Sequence, residues 1–273
     1  MTRAVADALA ACYGDRATRI GGGHHSDVFR VGDRVVKAYL PGAPAGLHRV
    51  ESGNLARAGL GDWVLEVVDA GLSPCGRDML VMRWFDGEPL TAASLTTAAI
   101  LDLGAFLDRL HARRFGALDL AAVSDRLDGF AGLDGKWGVA PIVSALRRPL
   151  EKGALAGPSA FCHLDLWRDN VLVDTNERVH VVDWVRAGPD DPARDLAIFR
   201  TGTLDELDPA TAEERLELLL AGTDEGFRRR VRWYTVLTYL HDLEWFSRRK
   251  PERAAGAWLV KGERARRLVE EGL

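Results

Sequence analysis

Apolar and polar positions alternate along Asp27-Val28-Phe29-Arg30-Val31 and again along Arg34-Val35-Val36-Lys37-Ala38-Tyr39, with Gly32-Asp33 between them. This pattern predicts a β-hairpin. Upstream, residues 3–12 read as a short helix and Gly21-Gly22-Gly23 as a turn. Downstream, a loop carrying Pro41, Gly42, Pro44 and Gly46 leads into a predicted helix over 47–59. Strands over 63–70 and 78–85 follow, parted by a loop at 71–76. After Asp86-Gly87-Glu88-Pro89 the period changes. Residues 91–114 and 141–152 read as helices, with Leu103, Phe106, Leu107 and Leu110 on one face. A small hairpin is expected at 170–174 and 179–183, and from 192 to the end the pattern is almost entirely helical. The expectation is an α+β chain of two lobes. Residues 1–85 form an antiparallel sheet with one inserted helix, a hinge lies near 83–88, and residues 86–273 form a larger, mainly helical lobe.

Composition changes this picture little. The 273 residues are 47% apolar and 28% charged, an ordinary soluble balance, and the net charge of −4 gives no push toward nucleic acid or an anionic membrane. Charge is uneven: residues 226–273 sum to +6 and the remainder to −10, a split read chiefly as solvated helix faces. The three cysteines, Cys12, Cys75 and Cys162, are odd in number and widely spaced. They argue against a disulfide framework or a zinc site and fit a reducing cytoplasm. Cys162 precedes His163, but neighbours on a strand point to opposite faces, so no Cys–His nucleophile is expected. Leu9-Ala10-Ala11-Cys12 superficially resembles a lipoprotein cleavage box, yet the apolar run before it is short and broken by Asp7, so a helix is expected there. No segment approaches the ~18–20 apolar residues of a membrane span. A monomer or weak dimer is expected.

The candidate chemistry is concentrated in His163-Leu164-Asp165-Leu166-Trp167-Arg168-Asp169-Asn170, which reads His-x-Asp-x-x-x-x-Asn. Asp183-Trp184 follows after a strand. That order and spacing match the catalytic loop and metal-binding Asp of kinase-type phosphotransferases. A hydroxyl must lose its proton as it bonds to phosphorus, and Asp165 is the candidate base. Asn170 and Asp183 offer the hard oxygen ligands that magnesium takes. His163 is expected to orient the loop, and Arg168 either to meet a phosphate or to pair with Asp169 or Asp195. Upstream, Lys37 is one of only five lysines and sits on a strand, where it can pair with nucleotide phosphates and with a helix carboxylate. Glu51 is the natural partner, with Glu66 and Glu88 less well placed. Gly22 and Gly23 allow backbone N–H groups to approach phosphates, and Ser26 adds a hydroxyl at the turn tip. Met82 and Trp84, in the hinge, are candidates for the nucleotide base, and their shape bears on ATP against GTP.

With these residues in place, the chain resembles the aminoglycoside phosphotransferase / choline kinase-like family. The resemblance rests on Gly22 to Phe29, Val36-Lys37, His163 to Leu172, and Val182-Asp183-Trp184 through Gly188-Pro189 to Asp191-Pro192-Ala193-Arg194-Asp195-Leu196-Ala197. It implies a protein-kinase-like fold, ATP or GTP with Mg2+, O-phosphorylation of a small molecule, and a structural Asp195 that braces the catalytic loop. Asp27 stands where the family often has Asn, and Leu164 where a Gly is common. The Asp-Leu-Trp step is similar to that of fructosamine-kinase-like members. Trp184-Val185 replaces the Phe-Gly of protein kinases and no Ala-Pro-Glu segment follows, so a protein acceptor is not expected.

The same resemblance puts the acceptor site in the region after residue 200. The aromatic series Trp233, Tyr234, Tyr239, Trp245 and Phe246 reads mainly as core, with Asp242, Glu244 and Trp245 as substrate-binding candidates. The first expectation is an antibiotic-modifying kinase. A metabolic kinase for a sugar or fructosamine, choline or homoserine is the alternative, and a nucleotide-binding pseudokinase the second alternative.

Overall fold

The computed structural model describes residues 2–73 and 76–273; Pro74 and Cys75, in the predicted 71–76 loop, lie outside the described residues. The chain divides into two compact units, residues 1–102 with 169–187, and residues 103–168 with 188–273.

The first unit is built on a five-stranded antiparallel sheet in the order β1-β2-β3-β5-β4. Its strands are β1 (Ala17–Gly22), β2 (Ser26–Val31), β3 (Arg34–Tyr39), β4 (Val67–Leu72) and β5 (Asp78–Arg83). The predicted hairpin is β2–β3, with Phe29 opposite Val36. β1 departs from the expected turn: Gly21 and Gly22 continue a strand paired with Val28 and Asp27, and only residues 23–25 turn. Strand alternation then sorts β3. Val36 and Ala38 join Val5 and Leu9 of α1 (Thr2–Tyr13), Phe29, Val31, Met79 and Val81 in one core. Lys37 and Tyr39 therefore take the opposite face, toward α2 (Leu47–Ala58).

The buried stripe of α2 is His48, Glu51, Asn54, Leu55 and Ala58, spaced as one helical face. Three of these five are polar, and a helix buries polar groups only when each has a partner. The unit is completed by β6 (Glu88–Pro89), β9 (Val171–Val173) and β10 (Val179–Val181), ordered β10-β9-β6. Asp102 ties it together, accepting from Trp63 Nε1 (3.2 Å) and from the Val179 N–H (2.8 Å).

The second unit holds a three-stranded sheet, β11-β8-β7, that the apolar pattern does not reveal: β7 (Arg114–Ala117), β8 (Pro158–Cys162) and β11 (Gly188–Asp190). Around it are α4 (Leu120–Gly129), the single turn α5 (Asp134–Trp137), α6 (Ala140–Glu151), α7 (Ala193–Gly202), α8 (Pro209–Leu219), α9 (Glu225–Arg249) and α10 (Pro251–Glu271). The predicted 91–114 helix is shorter, α3 (Thr97–His111), because Thr91 and Ser94 close a turn before it and β7 begins after it. Trp233, Tyr234 and Tyr239 are fully buried core, as their spacing suggests, whereas Trp245 and Phe246 are half-buried and meet edge to face at 5.1 Å. Among the described residues no helix is long and apolar enough to cross a membrane.

Candidate active site

In the first unit, Lys37 is 6% exposed and its ammonium lies 2.8 Å from Glu51 Oε2 and 2.8 Å from Asp183 Oδ1. Burial alone would lower the Lys37 pKa, but the two carboxylates outweigh it and hold it above the usual lysine value. Glu51, 1% exposed, also accepts from Tyr39 Oη and from the Trp184 N–H (3.2 Å). Burial and then the Glu51 charge push the Tyr39 phenol pKa far up, so it serves as a hydrogen-bond donor.

Asp183 adopts the left-handed conformation (φ 64°, ψ 69°), unusual for a residue other than glycine. The next residue is fixed on three sides: Trp184 N–H to Glu51, Trp184 C=O from Asn54 Nδ2 (2.8 Å), and Trp184 Nε1 to the Val181 carbonyl (2.9 Å). Asn170, buried, closes the open end of the β9–β10 hairpin by accepting the Val182 N–H at 2.9 Å. Asn170 and Asp183 thus flank the same end of one hairpin and bring a hard-oxygen donor set that suits magnesium.

The glycine turn differs from expectation. A Cβ on Gly22 would meet the Ser26 carbonyl at 2.9 Å, so the close chain approach there requires glycine. The Gly23 N–H is already bonded to Ser26 O (2.9 Å). Ser26 is buried at the base of the turn opposite Tyr39, not at its tip, which His24 and His25 form. Met82 is buried in β5, and the Trp84 N–H is spent on the Asp33 carbonyl (2.8 Å) beneath the Arg30 guanidinium.

The second unit holds the catalytic-loop candidates. β8 delivers His163, fully buried, and the chain then turns through Leu164 at φ 61°. Asp195, buried in α7, fixes that turn: its carboxylate accepts the His163 N–H (2.9 Å) and the Leu164 N–H (2.7 Å) and meets His111 Nε2 (2.9 Å). Burial would raise the Asp195 pKa, but the His111 bond leads a set of interactions that hold it below the ordinary carboxylate value. Asp165 follows, its carbonyl accepting the Trp167 N–H at 3.0 Å. Arg168 pairs with Glu206, a partner the sequence did not suggest.

Burial pushes the Cys162 thiol pKa far up, which leaves it a protonated core group. Its sulfur, His111 and Asp195 come within 4.8 Å of one another, but the Asp195 oxygens are engaged by the loop. Of the acceptor candidates, Asp242 pairs with Lys261, Glu244 with Arg248 (2.7 Å), and the Trp245 ring faces the Lys250 ammonium at 5.3 Å. Sequence reasoning missed Tyr39, Asn54 and His111, which act only through distant partners.

A sequence model of the phosphotransferase enzyme family matches residues 16–234. No curated protein matches the chain. Among solved structures, a choline/ethanolamine kinase family protein from Mesorhizobium loti is similar at 22% identity and TM-score 0.73, over 98% of this chain and 94% of that one. A thermostable mutant of aminoglycoside phosphotransferase APH(4)-Ia, in ternary complex with ADP and hygromycin B, is similar at 18% identity and TM-score 0.71 over 98% and 99%. The GDP complex of aminoglycoside 2'-phosphotransferase-IIIa is similar at 15% identity and TM-score 0.68 over 96% and 97%.

Proposed function

The chain belongs to the phosphotransferase enzyme family and is a phosphotransferase with a hydroxyl acceptor, and from that premise we propose a magnesium-dependent kinase that moves a phosphoryl group from ATP or GTP to a small molecule. The acceptor in this reading is an antibiotic, modified for resistance or self-protection, in a cytoplasmic monomer or weak dimer. The observation that carries the reading is the buried ammonium of Lys37 held between Glu51 and Asp183 at 2.8 Å each. A strand lysine paired with a helix glutamate is the ion-pair arrangement that orients an ammonium toward nucleotide phosphates, and Asp183 lies beside it. The similarity to a choline/ethanolamine kinase family protein supports a second reading, a metabolic small-molecule kinase.

Each residue then has one task. Asp165 accepts the proton of the acceptor hydroxyl as its oxygen takes the phosphoryl group. His163 and Leu164, bound through their N–H groups to Asp195, hold the loop that presents Asp165. Lys37 pairs with the phosphates, Glu51 aligns Lys37, and the Gly22–Gly23 turn lets the backbone approach the nucleotide. Asn170 and Asp183 would hold magnesium. When bound, the metal neutralises charge on the phosphate oxygens. Asp165→Asn is expected to keep Mg-ADP affinity, read by calorimetry, while turnover falls about 10²–10⁴-fold. Turnover within threefold or so of wild type would remove Asp165 from this role.

A further inference from the structure

We infer that the acceptor site of this enzyme excludes polycations and takes an uncharged hydroxyl compound. The inference rests on the phosphotransferase reading, because it takes Asp165 as the group the acceptor hydroxyl must reach. A hydroxyl that gives its proton to Asp165 comes within about 3 Å of it, so the acceptor borders the elements beside the 163–168 loop.

Two contacts within the second unit identify those elements. Gly202, at the end of α7, lies under Trp167: a Cβ there would fall 2.7 Å from Trp167 Cβ. Arg168 pairs with Glu206 in the 3-10 turn Leu204–Glu206. The neighbouring Asp205 is held by Tyr239 Oη of α9 (2.6 Å) and by Arg264 Nη1 of α10 (2.9 Å). One turn after Tyr239 on α9 and one turn before Arg264 on α10, Asp242 is paired with Lys261. Glu244 is paired with Arg248. Every one of these carboxylates already carries a cation supplied by the chain.

A site for a polycation works by presenting several uncompensated carboxylates, since one exposed ion pair is worth little. Here each carboxylate would have to release its partner, and the released guanidinium or ammonium would then repel the incoming charge. The Glu206 pair is exposed and easily parted, but Asp205, whose side chain is 11% exposed, is bound on two sides in a setting where a lost partner is costly. The second unit contains 24 acidic and 24 basic side chains, so it offers no net negative charge to gather cations. What the loop does present is the Trp167 indole, 36% exposed and two residues from Asp165, an aromatic face on which a ring compound can stack.

The test is calorimetric titration of the full-length protein, loaded with Mg-ADP, with kanamycin as a tetracationic hydroxyl probe. The wild type is expected to show no saturable binding up to about 1 mM. Uncovering Asp242 with K261Q should improve affinity up to about fivefold, the scale of one new carboxylate–ammonium contact, with the gain lost in high salt. Saturable kanamycin binding by the wild type, weakened by D242N, would overturn the inference, and that arm needs no variant to fold. The Mg-ADP titration that precedes it is a separate readout: its failure would count against the phosphotransferase reading and not against the charge argument.

Discussion

Lys37 is buried at a position that an unpaired ammonium would vacate, so its two carboxylates and its protonation are one fact. Its pKa is raised above the unfolded lysine value. The stabilisation is therefore complete below about pH 10 and lost only as pH rises through the folded pKa, so Lys37 contributes no pH dependence near neutrality. Lys37→Met strands Glu51 and should cost about 3–5 kcal/mol in urea unfolding, together with loss of Mg-nucleotide affinity. Full stability in that variant would show the pair to be dispensable. Asp195 has the opposite sign. Its depressed pKa gives stabilisation present above the unfolded carboxylate value near 3.9 and lost as pH falls through the lower folded one. His111→Leu removes the leading stabilising bond to that carboxylate, so the folded pKa moves up toward the unfolded one and the fall in melting temperature through the acid range should be shallower than in the wild type. Superimposed pH–Tm profiles would refute this. These residues differ in legibility. Lys37, Asn170 and Asp183 could be read because fixed spacings carry them. His111 could not, because an ordinary polar side chain gains its part from a partner 84 positions away.

At the scale of the element, α2 acts as a clamp on the turn that follows Asp183. Its Glu51 takes the Trp184 N–H and its Asn54 the Trp184 carbonyl, so both backbone groups of one residue are fixed by one helix face. This is what maintains a non-glycine Asp183 at positive φ, a conformation that persists only when surrounding contacts impose it. Asn54→Ala leaves a buried carbonyl without its donor, at a cost of about 1–3 kcal/mol. If the clamp positions the metal ligand, the magnesium concentration for half-maximal activity should rise severalfold in that variant. Lowered stability with an unchanged magnesium requirement would reduce Asn54 to packing. The helix itself was readable from its apolar spacing, but its polar buried stripe was not, because period alone cannot say which polar residues find partners. The short strands β7 and β11 escaped for a related reason. Arg-Phe-Gly-Ala and Gly-Pro-Asp have no strand signature, and only pairing with β8 makes them strands; the proline is tolerated in β11 because that strand is an edge.

For the molecule as a whole, an antiparallel sheet early and helices late were legible because the hydrophobic period changes near residue 86. The grouping of residues 169–187 with the N-terminal sheet was not, because it depends on contacts rather than on chain order. That grouping has a thermodynamic consequence. Lys37, Glu51, Asn170 and Asp183 all belong to the first unit, so a nucleotide and metal that engage them stabilise that unit directly. Ligand at a hundredfold over its dissociation constant adds about 2.7 kcal/mol to the folded state. For a chain of this size that corresponds to a rise in melting temperature of roughly 5 °C. The rise should require both components: ADP with excess EDTA should recover little of it, because Asn170 and Asp183 would then have no cation to share with the phosphates. Asp183→Asn should likewise reduce the Mg-ADP shift while leaving the ligand-free melting temperature close to wild type, since the Asp183 side chain is 41% exposed and Glu51 still pairs with Lys37. An ADP shift equal in EDTA and in magnesium would separate nucleotide binding from these two residues and would sink their assignment as metal ligands.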